Sequence, residues 1–432
     1  MQRIFSLAGA AIVLATTPVA ADLKVGVGKT EITPPAGVRM YGYGARGTNI
    51  SRGVHDPLFA KAVALSDRDE TAAWVTMDLG YADTQLTQGV RAAVATKLGF
   101  DNVFLSASHT HSGPSFVDDF PSASDPWVEQ LQRKIVDAIA QAHNALQPAQ
   151  VGVGWGHVNL GHNRRLIRVD GSVEMFWENR DGVPTEPVDK SVAVVAFDTP
   201  AGSPIATLVN LAIHPVVLGP DNLNYSADFP GAMMEIVEEN GGGQVMFLQG
   251  AAGDINPFWD KTPLDEGAYD QMQRMGETIG REVVRVRRLT ELSEVQSIAL
   301  GVDKVHISPR WNLDDPEVRA NVRQDYVDRF ERENKAEVKI LMIGTDLALA
   351  AFPGEFFVEH GLRLKQESVV AHTLFVGYSN GHLGYFPTIK AAAEGGYGAN
   401  SSTIVEVGAG ERLVNLALIN LGYLSGQLHR TP

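Results

Sequence analysis

Short apolar runs that end abruptly in polar turns recur along this chain, and they constrain its fold more than any other feature. Val103-Phe104-Leu105 is followed directly by Ser106, Ala107, Ser108, His109, Thr110 and His111. Leu208 to Ile213 leads into His214-Pro215, and Leu347 to Phe352 leads into Pro353-Gly354-Glu355. Runs of this kind lie at residues 60–65, 72–77, 102–106, 151–155, 192–197, 205–212, 245–248, 298–305, 339–343, 347–351 and 373–378. They are rich in Val, Ile, Phe and Ala, and several lack clean alternation, as strands covered on both faces do. Stretches of helical period lie at residues 84–98, 126–146, 230–239, 268–288, 316–333, 355–367 and 411–428. Asp125 before Pro126 has the chemistry of a cap followed by a first-turn proline. The alternation predicts an α/β fold with a mixed β-sheet core and flanking helices. No repeat and no Pro/Gly/Ser-rich break interrupts it, which predicts a single large domain over residues 22–432.

The chain has 432 residues, 44% of them hydrophobic, so it can bury a sizeable core without crosslinks. It contains no cysteine, which excludes thiol nucleophiles and thiolate metal sites. A formal charge of −15 repels phosphate backbones and predicts no nucleic-acid partner. Residues 1–21 read as a signal peptide. Arg3 gives the positive start, Ile4 to Ala15 is apolar but short for a membrane span, and Val19-Ala20-Ala21 suits the peptidase. Export to the periplasm or beyond follows, with no transmembrane segment in the mature chain.

Two motifs are decoys. Gly28-Lys29-Thr30 looks like the end of a phosphate loop, but Leu23 stands where the first glycine belongs and no strand is expected before it. Gly42, Gly44 and Gly47 match a dinucleotide pattern by letter, yet no helix follows, so a flexible surface turn is expected.

The strand exits carry the chemistry. His109 and His111 are two apart and share one side while the strand persists. They can both bind a metal, or one can bind while the other moves protons. His214, Glu355 and Tyr385 each follow an apolar run and a turn, and each is competent to bind zinc. Their alternatives are structural: Glu355 as a helix-start acid, Tyr385 as a core tyrosine.

Taken in order, these motifs resemble the neutral/alkaline non-lysosomal ceramidase family. The shared segments include Val27-Gly-Lys-Thr-Glu-Ile-Thr-Pro-Pro, Gly53-Val-His-Asp-Pro-Leu-Phe, Ser108-His-Thr-His-Ser-Gly-Pro and Gly161-His-Asn-Arg. They continue with Ile213-His-Pro, Gly250-Ala-Ala-Gly-Asp-Ile-Asn-Pro, Pro353-Gly-Glu-Phe and Gly384-Tyr-Phe-Pro-Thr. The resemblance implies one catalytic Zn2+ held by His109, His214, Glu355 and Tyr385. It places His111, Arg164 and Tyr397 around the site, with Arg165 as the other possible match for the arginine. It implies hydrolysis of an N-acyl amide, ceramide or a related lipid, by a zinc-activated water. Asp254 or His111 would move protons to the leaving amine, and Arg164 and Asn256 would contact substrate.

Two departures stand out. The family's serine that touches the ceramide headgroup is replaced by Asn256, and the family's C-terminal β-sandwich is not expected here. The alternatives keep the metal and change the bond, to a carbohydrate, peptidoglycan or N-acyl amino acid deacylase or an esterase, or leave a non-catalytic exported binding protein. Asp228, Asp254 and Asn256 have cap or turn readings beside site readings, and Asp78 reads as a turn residue. His55, His162 and His382 sit in glycine-rich loops from which they could touch substrate.

Overall fold

The computed structural model describes residues 23–115, 126–322, 324–332, 334–400 and 402–429. The expected signal peptide and the expected cap at Asp125 lie outside the described residues.

The first sheet contains β1 (Lys24–Glu31), β2 (Phe59–Ser66), β3 (Thr71–Met77) and β4 (Val103–Ala107) in the order β4-β3-β2-β1. Helices α1 (Thr84–Leu98) and α2 (Pro126–Asn144) cover its outer face. The second contains β5 (Gln150–His157), β6 (Ser191–Asp198), β7 (Pro204–Leu211) and β8 (Gln244–Gln249) in the order β8-β7-β6-β5. It is covered by α3 (Phe229–Glu239) and α4 (Ala268–Leu289). The third contains β9 (Ile298–His306), β10 (Lys335–Ile343), β11 (Leu347–Ala351) and β12 (His372–Val376) in that order, with α5 (Val358–Glu367) and α6 (Ala409–Leu424) outside.

Each sheet is antiparallel except for one pair: β3 with β4, β7 with β8, and β11 with β12. A parallel pair needs a crossover, and α1, α3 and α5 supply it. The inner faces of all three sheets meet in one apolar core that includes Val63, Trp74 and Phe104 from the first, Val195 and Leu248 from the second, and Leu341, Leu349 and Leu374 from the third. Strands such as β4, β7 and β11 are therefore buried on both faces, which explains their weak alternation. No helix among the described residues is long and apolar enough to cross a membrane.

Four expectations need correction. Residues 24–31 form a strand, and Gly28-Lys29-Thr30 lies inside it. A Cβ at Gly28 would stand 2.1 Å from the Ala138 carbonyl oxygen, so this glycine allows α2 onto the sheet. The expected helix at 316–333 is broken into Pro316–Asn321 and Gln324–Arg332, with Val322 extended between them. The expected helix at 355–367 starts at Val358, because Glu355-Phe356 pairs with Tyr385-Phe386 as a short parallel ladder. Gly42 is more than a surface turn: its φ is 104°, and a Cβ there would stand 2.3 Å from the His111 ring.

Candidate metal centre

The parallel pairs deliver their C-terminal ends to one place, as α/β sheets do. Beyond β4 the chain turns at His109, whose φ of 69° is left-handed. That conformation is uncommon for a residue with a Cβ. It is held by Ser108 N–H donating to Met77 O at 2.9 Å and His109 N–H donating to Leu79 O at 2.9 Å. Beyond β7, His214 N–H donates to Ile255 O at 3.0 Å. Beyond β11, Glu355 N–H donates to Gly384 O at 2.9 Å, in register with Tyr385 on the neighbouring short strand. A Cβ at Gly354 would meet that same Gly384 oxygen at 2.6 Å, so the approach requires glycine.

These turns bring His109, His111, His214 and Glu355 together. Candidate ligand atoms of the three histidines all lie within 4.8 Å of one another. Glu355 Oε2 is 3.4 Å from His109 Nε2 and 3.3 Å from His214 Nε2. His111 Nε2 is 3.3 Å from His109 Nε2. His109, His214 and Glu355 are buried, and His111 is half-buried.

The second nitrogen of each inner histidine sets its tautomer. His109 Nδ1 lies 2.5 Å from Gly80 O, and His214 Nδ1 lies 3.1 Å from Ile255 O. A carbonyl only accepts, so both Nδ1 atoms carry the proton and both Nε2 lone pairs face Glu355. Backbone-oriented imidazoles of this kind are characteristic of metal ligands. Lone pairs converging on a carboxylate repel unless a cation or protons lie among them. Burial lowers the His214 pKa to about 4, although its bond to Glu355 pulls the other way. Burial, reinforced by His109 and His214, holds His111 well below its usual value. Burial works to raise Glu355, but His109 and His214 hold its carboxyl well below the carboxylate range. The group is therefore buried and short of protons, with its lone pairs converging, which fits a divalent cation.

Tyr385 joins the centre to a second cluster. Its hydroxyl accepts from Arg164 Nη2 at 3.1 Å, which also donates to Gly253 O at 2.6 Å, while Nη1 donates to Asn256 Oδ1 at 3.1 Å. The guanidinium lies 5.2 Å from the ring centroids of both Trp177 and Tyr397. Arg165 instead pairs with Glu394 at 3.1 Å. Of the two candidate arginines, the structure brings Arg164 to the centre.

Other expected residues have structural partners. Asp254 accepts from Val358 N–H at 2.8 Å and from the Asn163 amide at 2.8 Å, and burial raises its carboxyl to about 6. Asn256 donates to Asp260 at 2.7 Å. Asp228 caps α3 through Phe229 N–H at 2.6 Å. Asp78 accepts from Phe59 N–H at 2.9 Å, a bond between the ends of β2 and β3. His162 lies 2.9 Å from Phe176 O, and His55 stacks on Tyr269. His382 is buried, with Nε2 3.7 Å from Glu355 Oε1, so this loop histidine belongs to the centre's surroundings.

Sequence reasoning missed the aromatic wall. Tyr41 stands edge-on to His109 and His111, Tyr43 to His111, and Tyr378 lies 4.1 Å from the His109 ring. Tyr41 and Tyr43 flank Gly42, so a Tyr-Gly-Tyr at a loop was the available signal. Tyr378 gave none, because it reads as the end of a buried strand.

Comparison with known proteins adds to this geometry. Residues 23–260 match the family model described as neutral/alkaline non-lysosomal ceramidase, N-terminal. Neutral ceramidase A of Dictyostelium discoideum is 27% identical over 54% of this chain and 36% of its own length. Neutral ceramidase of Pseudomonas aeruginosa is 24% identical over 78% of this chain and 51% of its own length. This chain thus spans about a third to a half of these relatives. The crystal structure of neutral ceramidase from Pseudomonas aeruginosa superposes with a TM-score of 0.77 over 95% of this chain and 76% of that chain, at 19% identity, a likeness of fold. With residues 23–260, more than half of the chain, matched by its model, the chain belongs to the neutral/alkaline non-lysosomal ceramidase family.

Proposed function

We propose that this chain is an exported zinc-dependent amidohydrolase that cleaves the N-acyl bond of ceramide or a related lipid amide. The observation that carries the reading is the convergence of His109 and His214 Nε2 on Glu355 Oε2, at 3.4 and 3.3 Å, with both Nδ1 atoms fixed by backbone carbonyls. His109, His214 and Glu355 would hold the ion, and Tyr385, in register with Glu355, would complete the set. When bound, zinc supplies a Lewis acid that lowers the pKa of water and polarises a carbonyl. The family relationship and the names of the relatives support ceramide as the substrate class.

The chain's own groups account for the remaining roles. His111, kept neutral by burial, offers a ring nitrogen to take a proton from the attacking water and pass it to the departing amine. Tyr397 stands beside Arg164, where its hydroxyl would donate to the developing oxyanion. Arg164 is held in plane by Asn256, Gly253 and Tyr385, so it orients substrate without moving. Asp254 keeps Asn163 and the start of α5 in place, which supports the site from behind. Arg3, the apolar stretch after it and Val19-Ala20-Ala21 support export.

The test is a substrate panel of long-chain ceramide, N-acyl amino acids and acetylated sugars, scored by release of free amine. Release from ceramide or another N-acyl lipid is the expected result. Release from acetylated sugars alone would move the reading to carbohydrate deacylation, and no release from any member would refute it.

A further inference from the structure

We propose that Arg46 is the positioning residue for His111: one buried guanidinium fixes both the backbone of this histidine and the aromatic wall against which its ring packs. The proposal rests on the proton-carrying role given to His111 in the amidohydrolase reading.

His111 differs from the two inner histidines in how its ring is held. His109 and His214 each point Nδ1 at a backbone carbonyl, which fixes the ring. His111 Nδ1 is buried and has no hydrogen-bond partner among the described residues. Its Nε2 lies 3.3 Å from His109 Nε2, an atom that faces the metal centre. No backbone anchor therefore orients this ring, and packing must do so. Tyr41 and Tyr43 stand edge-on to it, with centroids at 5.4 and 4.8 Å. Gly42 between them comes so close that a Cβ would stand 2.3 Å from the ring. Close-packed groups feel small displacements, so the ring is only as well placed as this loop.

Arg46 holds the loop. It ends a short 3-10 turn, Gly44–Arg46, directly after the wall, and is 2% exposed. Its Nη1 donates to Tyr41 O at 2.7 Å and to His111 O at 3.0 Å, one hydrogen to each. A single nitrogen thus sets the distance between the wall and the histidine. Nη2 donates to Asn222 O at 3.2 Å, and the guanidinium lies 5.0 Å from the Tyr43 ring centroid. Asn222 is fixed in turn, donating to Ser112 Oγ at 2.9 Å and accepting from the Tyr269 hydroxyl at 2.8 Å. His111 N–H reaches Pro215 O only at 3.4 Å, so the guanidinium carries more of the anchorage.

The chemistry of arginine suits the task. All three acceptors are backbone carbonyls, so the bonds fix main-chain positions. A planar guanidinium directs several donors at fixed angles, which an ammonium does not. Burying a cation is costly unless hydrogen bonds compensate, and here they come from the wall, the histidine and the turn at Asn222.

Arg46→Met keeps much of the volume and removes the three bonds. NMR relaxation of ring-labelled histidine in the zinc-loaded protein reads positioning without turnover. The His111 ring is expected to lose order in the variant, while the His109 and His214 rings and the zinc content stay as in wild type. With an N-acyl lipid, kcat is expected to fall about tenfold to a hundredfold and KM to stay within about twofold, the effect of a misplaced proton carrier. In a His111→Gln background, Arg46→Met is expected to change kcat by less than about twofold, because the two residues act as a unit. If Arg46→Met melts at low temperature, Arg46→Lys, which keeps the charge but cannot span three carbonyls, is expected to show the same loss of ring order and of kcat. A His111 ring as ordered in the variant as in wild type, or an equal loss of kcat with and without His111, overturns the proposal. Loss of ring order in a protein whose wild type cleaves no N-acyl amide would support Arg46 and count against amide hydrolysis.

Discussion

Glu355 is the residue on which the centre depends most. It faces His109 and His214 at once, and their proximity holds its carboxyl well below the usual range in spite of burial. Glu355→Gln keeps the shape and removes the charge. Zinc affinity is expected to fall by roughly a hundredfold or more, beyond the loss typical of residues that only support a ligand. Equilibrium dialysis against a zinc buffer measures it, and unchanged affinity would place the ion elsewhere. Tyr378 has a different kind of cost. Its φ is 52° and its hydroxyl is buried without a partner, while its ring packs beside His109. Tyr378→Phe keeps the ring and removes the unpaired group, so stability is expected to rise by about 1 kcal/mol. A fall in urea midpoint would show that the hydroxyl has a partner in solution.

Among the elements, the start of α3 carries a pH-dependent term. Asp228 caps the helix at Phe229 and also accepts from Leu218 N–H at 3.0 Å, yet burial pushes its carboxyl up to about 7. A folded pKa above the unfolded value stabilises fully at low pH, and the contribution is lost as pH rises through about 7. Asp228→Asn keeps an acceptor but cannot ionise. Between pH ~5 and ~7 its stability relative to wild type is expected to improve by about 2 kcal/mol, then level off. Urea unfolding across that range checks the sign, and a flat difference would contradict it. At β1 the packing is steric: Gly28→Ala puts a methyl against the α2 backbone and is expected to cost about 1–3 kcal/mol. Wild-type stability in that variant would contradict the close approach.

The same glycine shows what local reading loses. Strands such as Leu347–Ala351 and helices such as Thr84–Leu98 were legible because burial on two faces or one leaves a period in the sequence. β1 was not, because Gly26 and Gly28 interrupt its apolar residues to admit a helix more than a hundred residues later. The start of α5 was misplaced because Glu355 takes its conformation from Tyr385, thirty residues on, and not from its neighbours.

Across the whole molecule, three sheets share one core, and each turns one helix-linked parallel pair toward the centre. That plan made His109, His214 and Glu355 visible as strand exits. It hid Tyr378, whose importance arises only when loops from different sheets meet. The central claim is that the buried histidine–carboxylate group holds a metal on which amide cleavage depends. The direct measurement is to strip the protein with chelator, return zinc in steps, and follow bound metal and cleavage of an N-acyl lipid together. The account predicts no cleavage without metal and recovery that tracks occupancy to about one ion per chain. Full cleavage by the stripped protein would contradict it.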